Sequence, residues 1–329
     1  MMKLSTMKKV MDTVDGEWKS PLGEKILEHW GYDKGSVSFV RASANFIFEF
    51  TREGKPYFLR FNESSERDFS SIKSELRIVK YLRNRIKNVV QPINSLNGND
   101  MEVVETEIGT FYAVVFEALE GKHYELDEIS NEQAYLWGKS LGILHETLKQ
   151  LPKDFRMDRP SWKDLLVKTK ETLPKNELAA HREIDRLWTW ADELCVSKEN
   201  YGMIHYDFEL DNVLFDNNTI RMLDFDDSSV HWYVADIVYA WRDAGSFNLE
   251  NPATKIFIEG YKSETSLDEE VLQAYSSFER LHHLTSLAKL IRAVDIGESE
   301  DHPEWLADLR VKLCSITEKY RLSIEKFDK

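Results

Sequence analysis

Polar and apolar residues alternate along the first third of the chain and then give way to a helical rhythm. Residues 36–40, 45–51 and 56–61 read as three strands of an antiparallel meander, with Arg52-Glu53-Gly54-Lys55 as the turn between the last two. A short amphipathic helix is expected around residues 21–30. Over 66–86 the apolar positions Phe69, Ile72, Leu76, Val79 and Leu82 fall on one helical stripe. Strand character returns at 89–91, 101–106 and 110–116, punctuated by Asn97-Gly98-Asn99-Asp100 and Ile108-Gly109. From 117–122 onward, helical periodicity dominates, at 134–148, 188–195, 272–294 and 305–327. The pattern predicts an α+β chain with a small antiparallel-sheet lobe carrying one main helix, residues 1–117. A larger, mainly helical lobe follows at 118–329, joined by a short hinge.

One stretch breaks the helical half. Met203-Ile204, Val213-Leu214-Phe215 and Ile220-Arg221-Met222-Leu223 are short apolar runs, separated by His205-Tyr206-Asp207-Phe208-Glu209-Leu210-Asp211-Asn212 and by Asp216-Asn217-Asn218. Loop, strand, turn and strand in that order would present Asn212 and Asp224 at neighbouring strand ends. Phosphoryl transfer needs an acceptor oxygen aligned and phosphate charge neutralised, with little covalent help. Asp207 suits the first task, since a carboxylate in hydrogen-bond reach of a hydroxyl orients it and accepts its proton. Asn212 and Asp224 suit the second, because Mg2+ prefers hard oxygen ligands and completes its shell with phosphate and water. Asp226 adds a further oxygen near substrate or metal. His205 reads as a loop brace rather than a catalytic base.

The spacing His-x-Asp-x4-Asn, followed by Asp224-Phe225-Asp226, resembles the catalytic loop of the aminoglycoside phosphotransferase and choline kinase-like family, within the protein kinase-like fold. Family members usually carry Gly at the position of Tyr206 and Ile at that of Leu223. The resemblance implies a two-lobed kinase-like fold, ATP and Mg2+ as cofactors, Asp207 as the catalytic residue, and Asn212 with Asp224 as metal ligands. It matches Asp236 to an Asp at the start of the next helix, read here as an N-cap and loop brace.

In the front lobe, an ATP site calls for a strand cation and a helical carboxylate to steady it. Arg60 in Phe58-Leu59-Arg60-Phe61 stands where many relatives carry Lys, and Glu75 is its candidate partner. Ser43, in the turn Arg41-Ala42-Ser43-Ala44-Asn45, faces phosphate in this reading, with no Gly-rich loop present. The resemblance alone assigns Phe116, Glu117 and Leu119 to the adenine side of the hinge. For the acceptor, Trp232, Tyr233, Tyr239, Trp241 and Asp243 are candidate walls, with His282 and His283 on a later helix. Aromatics at helical spacing are more usually core than cavity wall.

Composition narrows the class. The formal net charge of −15 argues against a nucleic-acid surface and is compatible with a cationic acceptor. Two cysteines, Cys195 and Cys314, form no zinc or disulfide pattern. Residues 1–18 lack an apolar run after their lysines, and no segment of about 18 apolar residues occurs, so a soluble, cytoplasmic chain with no membrane partner is expected. The expected activity is transfer of the ATP γ-phosphate to a hydroxyl of a small molecule: an amine, amino alcohol, amino acid, sugar or aminoglycoside-type antibiotic. The rival reading is a nucleotide-binding regulator that has lost turnover. A protein kinase is disfavoured, because Asp224 and Asp236 leave no room for a long activation segment.

Overall fold

Residues 1–298 and 301–327, described by a computed structural model, divide into two units. The first is built from Met1–Leu76, Gln91–Ala118 and the described part of Leu287–Tyr320. The second is built from Arg77–Val90, Leu119–Ser286 and the described residues after Tyr320.

The first unit is organised around a six-stranded sheet of β1 (Ser38–Ala42), β2 (Phe46–Arg52), β3 (Lys55–Glu63), β4 (Pro92–Ile93), β5 (Glu102–Thr106) and β6 (Gly109–Glu117). The order is β1-β2-β3-β6-β4, with β5 also paired to β6, and every pairing is antiparallel. The β2–β3 turn holds Glu53 and Gly54 at φ of 54° and 72°, the two left-handed residues that match a tight hairpin to strand twist. Alternation along β2 buries Phe46, Phe48 and Phe50. They join Leu59, Phe61, Phe111 and Val115 in a core closed by the helices Leu4–Met11 and Pro21–Leu27.

The first of these helices is absent from the sequence reading. Lys3, Lys8 and Lys9 mask the spacing of Leu4, Met7 and Val10, all fully buried. Residues 89–91 are corrected too: Val89 and Val90 pair with Met222 through backbone bonds outside any strand, and the strand of that region is Pro92–Ile93. The helix expected at 66–86 spans Phe69–Arg83 and buries Ile72, Leu76, Val79 and Leu82, while Phe69 is exposed.

The second unit is mainly helical: Asn131–Leu148, Lys153–Met157, Trp162–Thr172, Leu178–Glu193, Tyr233–Ala240, Pro252–Lys262, Glu269–Gln273 and the beginning of Tyr275–Ala293. Ser130 and Ser161 close capping boxes at the first and third of these, which sets where those helices start. The segment expected to be one helix at 272–294 is two, broken at Ala274. Asn131–Leu148 and Pro252–Lys262 approach until backbones touch; a Cβ on Gly138 would lie 1.8 Å from the Phe257 carbonyl oxygen, and one on Gly260 2.1 Å from that of Tyr135. Two small hairpin-like pairs complete the unit. β7 (Tyr201–Ile204) pairs antiparallel with β10 (Ser229–Trp232), and β8 (Val213–Asp216) with β9 (Thr219–Met222). No described helix is long and apolar enough to cross a membrane.

Candidate active site

Between β7 and β8 the chain runs through the polar octet, and its path is fixed by side chains that bind its backbone. Asp236, fully buried in the helix Tyr233–Ala240, accepts the N–H of His205 on Oδ2 at 2.8 Å and that of Tyr206 on Oδ1 at 2.7 Å. The same Oδ2 accepts from His145 Nε2 at 2.9 Å, and His145 Nδ1 lies 2.9 Å from the Tyr261 hydroxyl. Two successive N–H groups reach one carboxylate because Tyr206 takes a φ of 73°. Asp236 is therefore the expected loop brace. It is not the N-cap, because the helix starts three residues earlier, after Trp232.

His205 is the second brace. Its Nε2 donates to the Leu223 carbonyl at 2.9 Å, and its Nδ1 accepts the Asp207 N–H at 3.3 Å. Burial holds its pKa below the usual imidazole range, as it does that of His145. Trp137 Nε1 donates to the Phe208 carbonyl at 3.1 Å.

Beyond the octet, a 3-10 turn at Leu210–Asn212 leads into the β8–β9 hairpin, whose register puts Val213 opposite Met222. Leu223 N–H then donates to the Asn212 carbonyl at 2.9 Å, which brings Asn212 beside the residue preceding Asp224. Asp224 turns at a φ of 52°, a left-handed position that Asp tolerates better than most residues. Asn212 Nδ2 donates to the Asp207 carbonyl oxygen at 2.9 Å and to its Oδ2 at 3.0 Å. Asp207 and Asn212 are thus in direct contact, and Asp224 is one residue from that contact.

The other oxygen of Asp207 is taken by a residue the sequence reading did not single out. Arg242, in the 3-10 turn Arg242–Ala244, donates from Nη2 to Asp207 Oδ1, and from Nε to Glu209 Oε2 at 2.6 Å. A second contact joins the same Nη2 to Glu209 Oε1. Burial opposes the charge on Arg242, but Asp207 and Glu209 outweigh it and raise its pKa further. Burial also pushes Glu209 up to about 7, against the pull of Arg242. The available signal for Arg242 was its position as the first basic residue after the apolar run Tyr233–Trp241 that carries Asp236.

The remaining candidates divide by placement. In the first unit, Arg60 on β3 forms a two-pronged ion pair with Glu75, with Nη1–Oε1 at 2.8 Å and Nη2–Oε2 at 2.6 Å; both side chains are buried, and the guanidinium lies 5.0 Å from the Phe116 ring centre. Ser43 sits half-buried in the β1–β2 turn and its N–H donates to the Asn45 carbonyl at 3.1 Å. Phe116 is buried in β6, and Glu117 at the end of that strand donates its N–H to the Gln91 carbonyl at 3.0 Å. In the second unit, Leu119 is half-buried, Asp226 is buried with its carbonyl oxygen accepting from Arg159 Nη2, and Asp243 is exposed.

Trp232, Tyr233 and Trp241, the candidate acceptor walls, sit in packed surroundings. All three are buried in packing: Trp232 among Trp162, Tyr201 and Phe278, Tyr233 against His145, and Trp241 against Trp137 and Phe257. Tyr239 is likewise buried against Tyr206, while His282 is buried and His283 half-buried.

Residues 37–280 match the profile of the phosphotransferase enzyme family. An amicoumacin kinase of Bacillus subtilis (strain 168) is 26% identical over 300 residues, spanning 85% of this chain and 88% of that protein. The solved structure of amicoumacin kinase hAmiN in complex with AMP-PNP, Ca2+ and Ami superposes with a TM-score of 0.78 at 23% identity, covering 97% of this chain and 96% of the other. That of the microcompartment-associated aminopropanol kinase does so with a TM-score of 0.67 at 21% identity, covering 92% and 98%. The kinase-like α+β fold is shared across these structures.

Proposed function

We propose, because this chain belongs to the phosphotransferase enzyme family, that it moves the γ-phosphate of ATP to a hydroxyl of a small molecule bearing an amine. The single observation that carries this reading is the joint setting of Asp207 and Asn212, in contact at 3.0 Å and one hairpin register from Asp224.

Asp207 would orient the acceptor hydroxyl and take up its proton as the new O–P bond forms and the bond to the β-phosphate oxygen breaks. The amide oxygen of Asn212 and the carboxylate of Asp224 fit a hard divalent cation such as Mg2+, and two protein ligands leave most of the shell to phosphate and water. Bound there, the cation supplies neutralisation of phosphate charge. In the first unit, Arg60, oriented by Glu75, fits a role on nucleotide phosphates. An arginine forks onto phosphate as Lys does not, and its charge does not titrate away. Ser43 and the backbone at Phe116, Glu117 and Leu119 complete the proposed nucleotide contacts.

The choice of an amine-bearing acceptor has three supports: three acids, Asp207, Glu209 and Asp243, stand near a single arginine, Arg242; the whole chain is acidic; and the aminopropanol kinase named above shares the fold. The test is radiolabel transfer from γ-labelled ATP to a panel of amino alcohols, aminoglycosides and neutral sugars, with Asp207→Ala as control. Transfer to amines alone, abolished in the variant, is the expected result. Labelling of neutral sugars at equal rates would overturn the acceptor class. For the metal, Asp224→Ala should remove the dependence of nucleotide affinity on Mg2+, and a variant that retains the full dependence would take Asp224 out of the metal site.

A further inference from the structure

We infer that Arg242 is a positioning residue for Asp207: delivered by the helix that braces the loop, its guanidinium fixes the plane of the Asp207 carboxylate, with Glu209 as the opposite anchor. The inference rests on the reading of Asp207 given above.

The helix Tyr233–Ala240 grips the octet at two places. Through Asp236 it holds the backbone at His205 and Tyr206. Just past its end, Trp241 is buried against Trp137 and Phe257, which anchors the backbone from which Arg242 reaches Asp207. Trp137 in turn binds the Phe208 carbonyl, so the residue after Asp207 is fixed by the same aromatic cluster.

A carboxylate on a loop is otherwise free to rotate about its side-chain bonds. Here each oxygen has its own donor: Oδ1 has Arg242 Nη2, and Oδ2 has Asn212 Nδ2 at 3.0 Å. Two donors on two oxygens define the carboxylate plane. Each oxygen keeps a further lone pair for an incoming hydroxyl. Asp207 remains 25% exposed, so it is held without being sealed off. Glu209 makes the hold stiff. By binding Nε and Nη2 of the planar guanidinium together, it stops Arg242 from swinging on its long stem. Lysine at this position would present a point charge without that fork.

The experiment compares Arg242→Ala, Arg242→Lys and Glu209→Gln for turnover, acceptor KM and nucleotide affinity in the full chain, with melting temperature as a folding check. Misaligning a reacting group by about 1 Å lowers rate by about a hundredfold, so Arg242→Ala should reduce kcat by about that factor while nucleotide affinity is retained. Arg242→Lys and Glu209→Gln should fall between it and the native protein, and added guanidinium should restore part of the lost turnover to Arg242→Ala. Combined with Asp207→Asn, Arg242→Ala should cause no further loss, because its effect runs through the carboxylate. An unchanged kcat in Arg242→Ala, a rise in acceptor KM with kcat intact, or the same loss in both backgrounds would overturn the inference. If Asp207→Asn itself turns over normally, the role of Asp207 fails instead, a result distinct from any of these. If Arg242→Ala does not fold, Arg242→Lys decides: full native kcat there would show that the fork has no part.

Discussion

Tyr206 occupies a φ of 73°, where a side chain other than glycine costs about 1–2 kcal/mol. The ring offsets this by burial against Tyr239 at 5.1 Å and by a 3.0 Å hydrogen bond to the Thr285 hydroxyl. Emptying a buried aromatic site costs about 3–5 kcal/mol, which exceeds the relief of strain. Tyr206→Gly, though it installs the residue usual in the resembling family, should therefore destabilise the protein by about 2–3 kcal/mol in urea unfolding. A more stable glycine variant would show that the strain governs. Arg60 and Glu75 pose a different balance, since each is buried and satisfied chiefly by the other. Removing one partner strands a charge, so Arg60→Ala should lower stability by about 3–5 kcal/mol, and replacing both with apolar residues of similar volume should lower it less. Equal losses in the single and double variants would contradict a buried pair.

Among the elements, the crossing of Asn131–Leu148 with Pro252–Lys262 is the least tolerant. A methyl at Gly138 or Gly260 meets backbone rather than a movable side chain. Gly138→Ala should cost about 2 kcal/mol or more, through separation of the helices. The same crossing sets His145 and Tyr261 within hydrogen-bond reach, so the loop braced by Asp236 should loosen with it. A melting temperature unchanged by Gly138→Ala would show that this approach is not tight in solution. These glycines were not legible in the sequence, because small residues on a helix carry no apolar signal. The meander β1–β3 and the β8–β9 hairpin were legible, since period-two alternation and the turns at Glu53-Gly54 and Asn217-Asn218 act locally. Leu4–Met11 was missed because lysines dilute its apolar spacing, whereas the resemblance placed a helix at Asp236 and the helix Tyr233–Ala240, apolar on nearly every face, starts three residues earlier. For the site, fixed spacing inside one loop and one hairpin made Asp207, Asn212 and Asp224 visible together. Arg242 comes thirty residues after Asn212, beyond three strands and a helix, and only the fold brings it back to Asp207.

At the scale of the whole molecule, the buried imidazoles set an acid limit on stability. Burial lowers the pKa of His145, and takes that of His231 down to about 3. In the unfolded chain both rings titrate near the usual value of about 6.5. Above that pH neither state carries the proton and stability is intact; below it the unfolded chain binds protons that the fold excludes. His231 then removes about 1.4 kcal/mol per pH unit until its folded pKa is reached, and His145 acts in the same direction. Unfolding free energy should drop by about 1 kcal/mol between pH 6 and pH 5 from His231, and His231→Phe should remove that contribution. An unaltered slope in His231→Phe would mean the ring is protonated inside the fold. The account as a whole turns on Asp207. Single-turnover transfer at saturating ATP and acceptor, compared between the native protein and Asp207→Asn, tests it most directly. The expected result is a fall in the transfer rate of at least about a hundredfold with nucleotide affinity retained; equal transfer rates in the two proteins would contradict it.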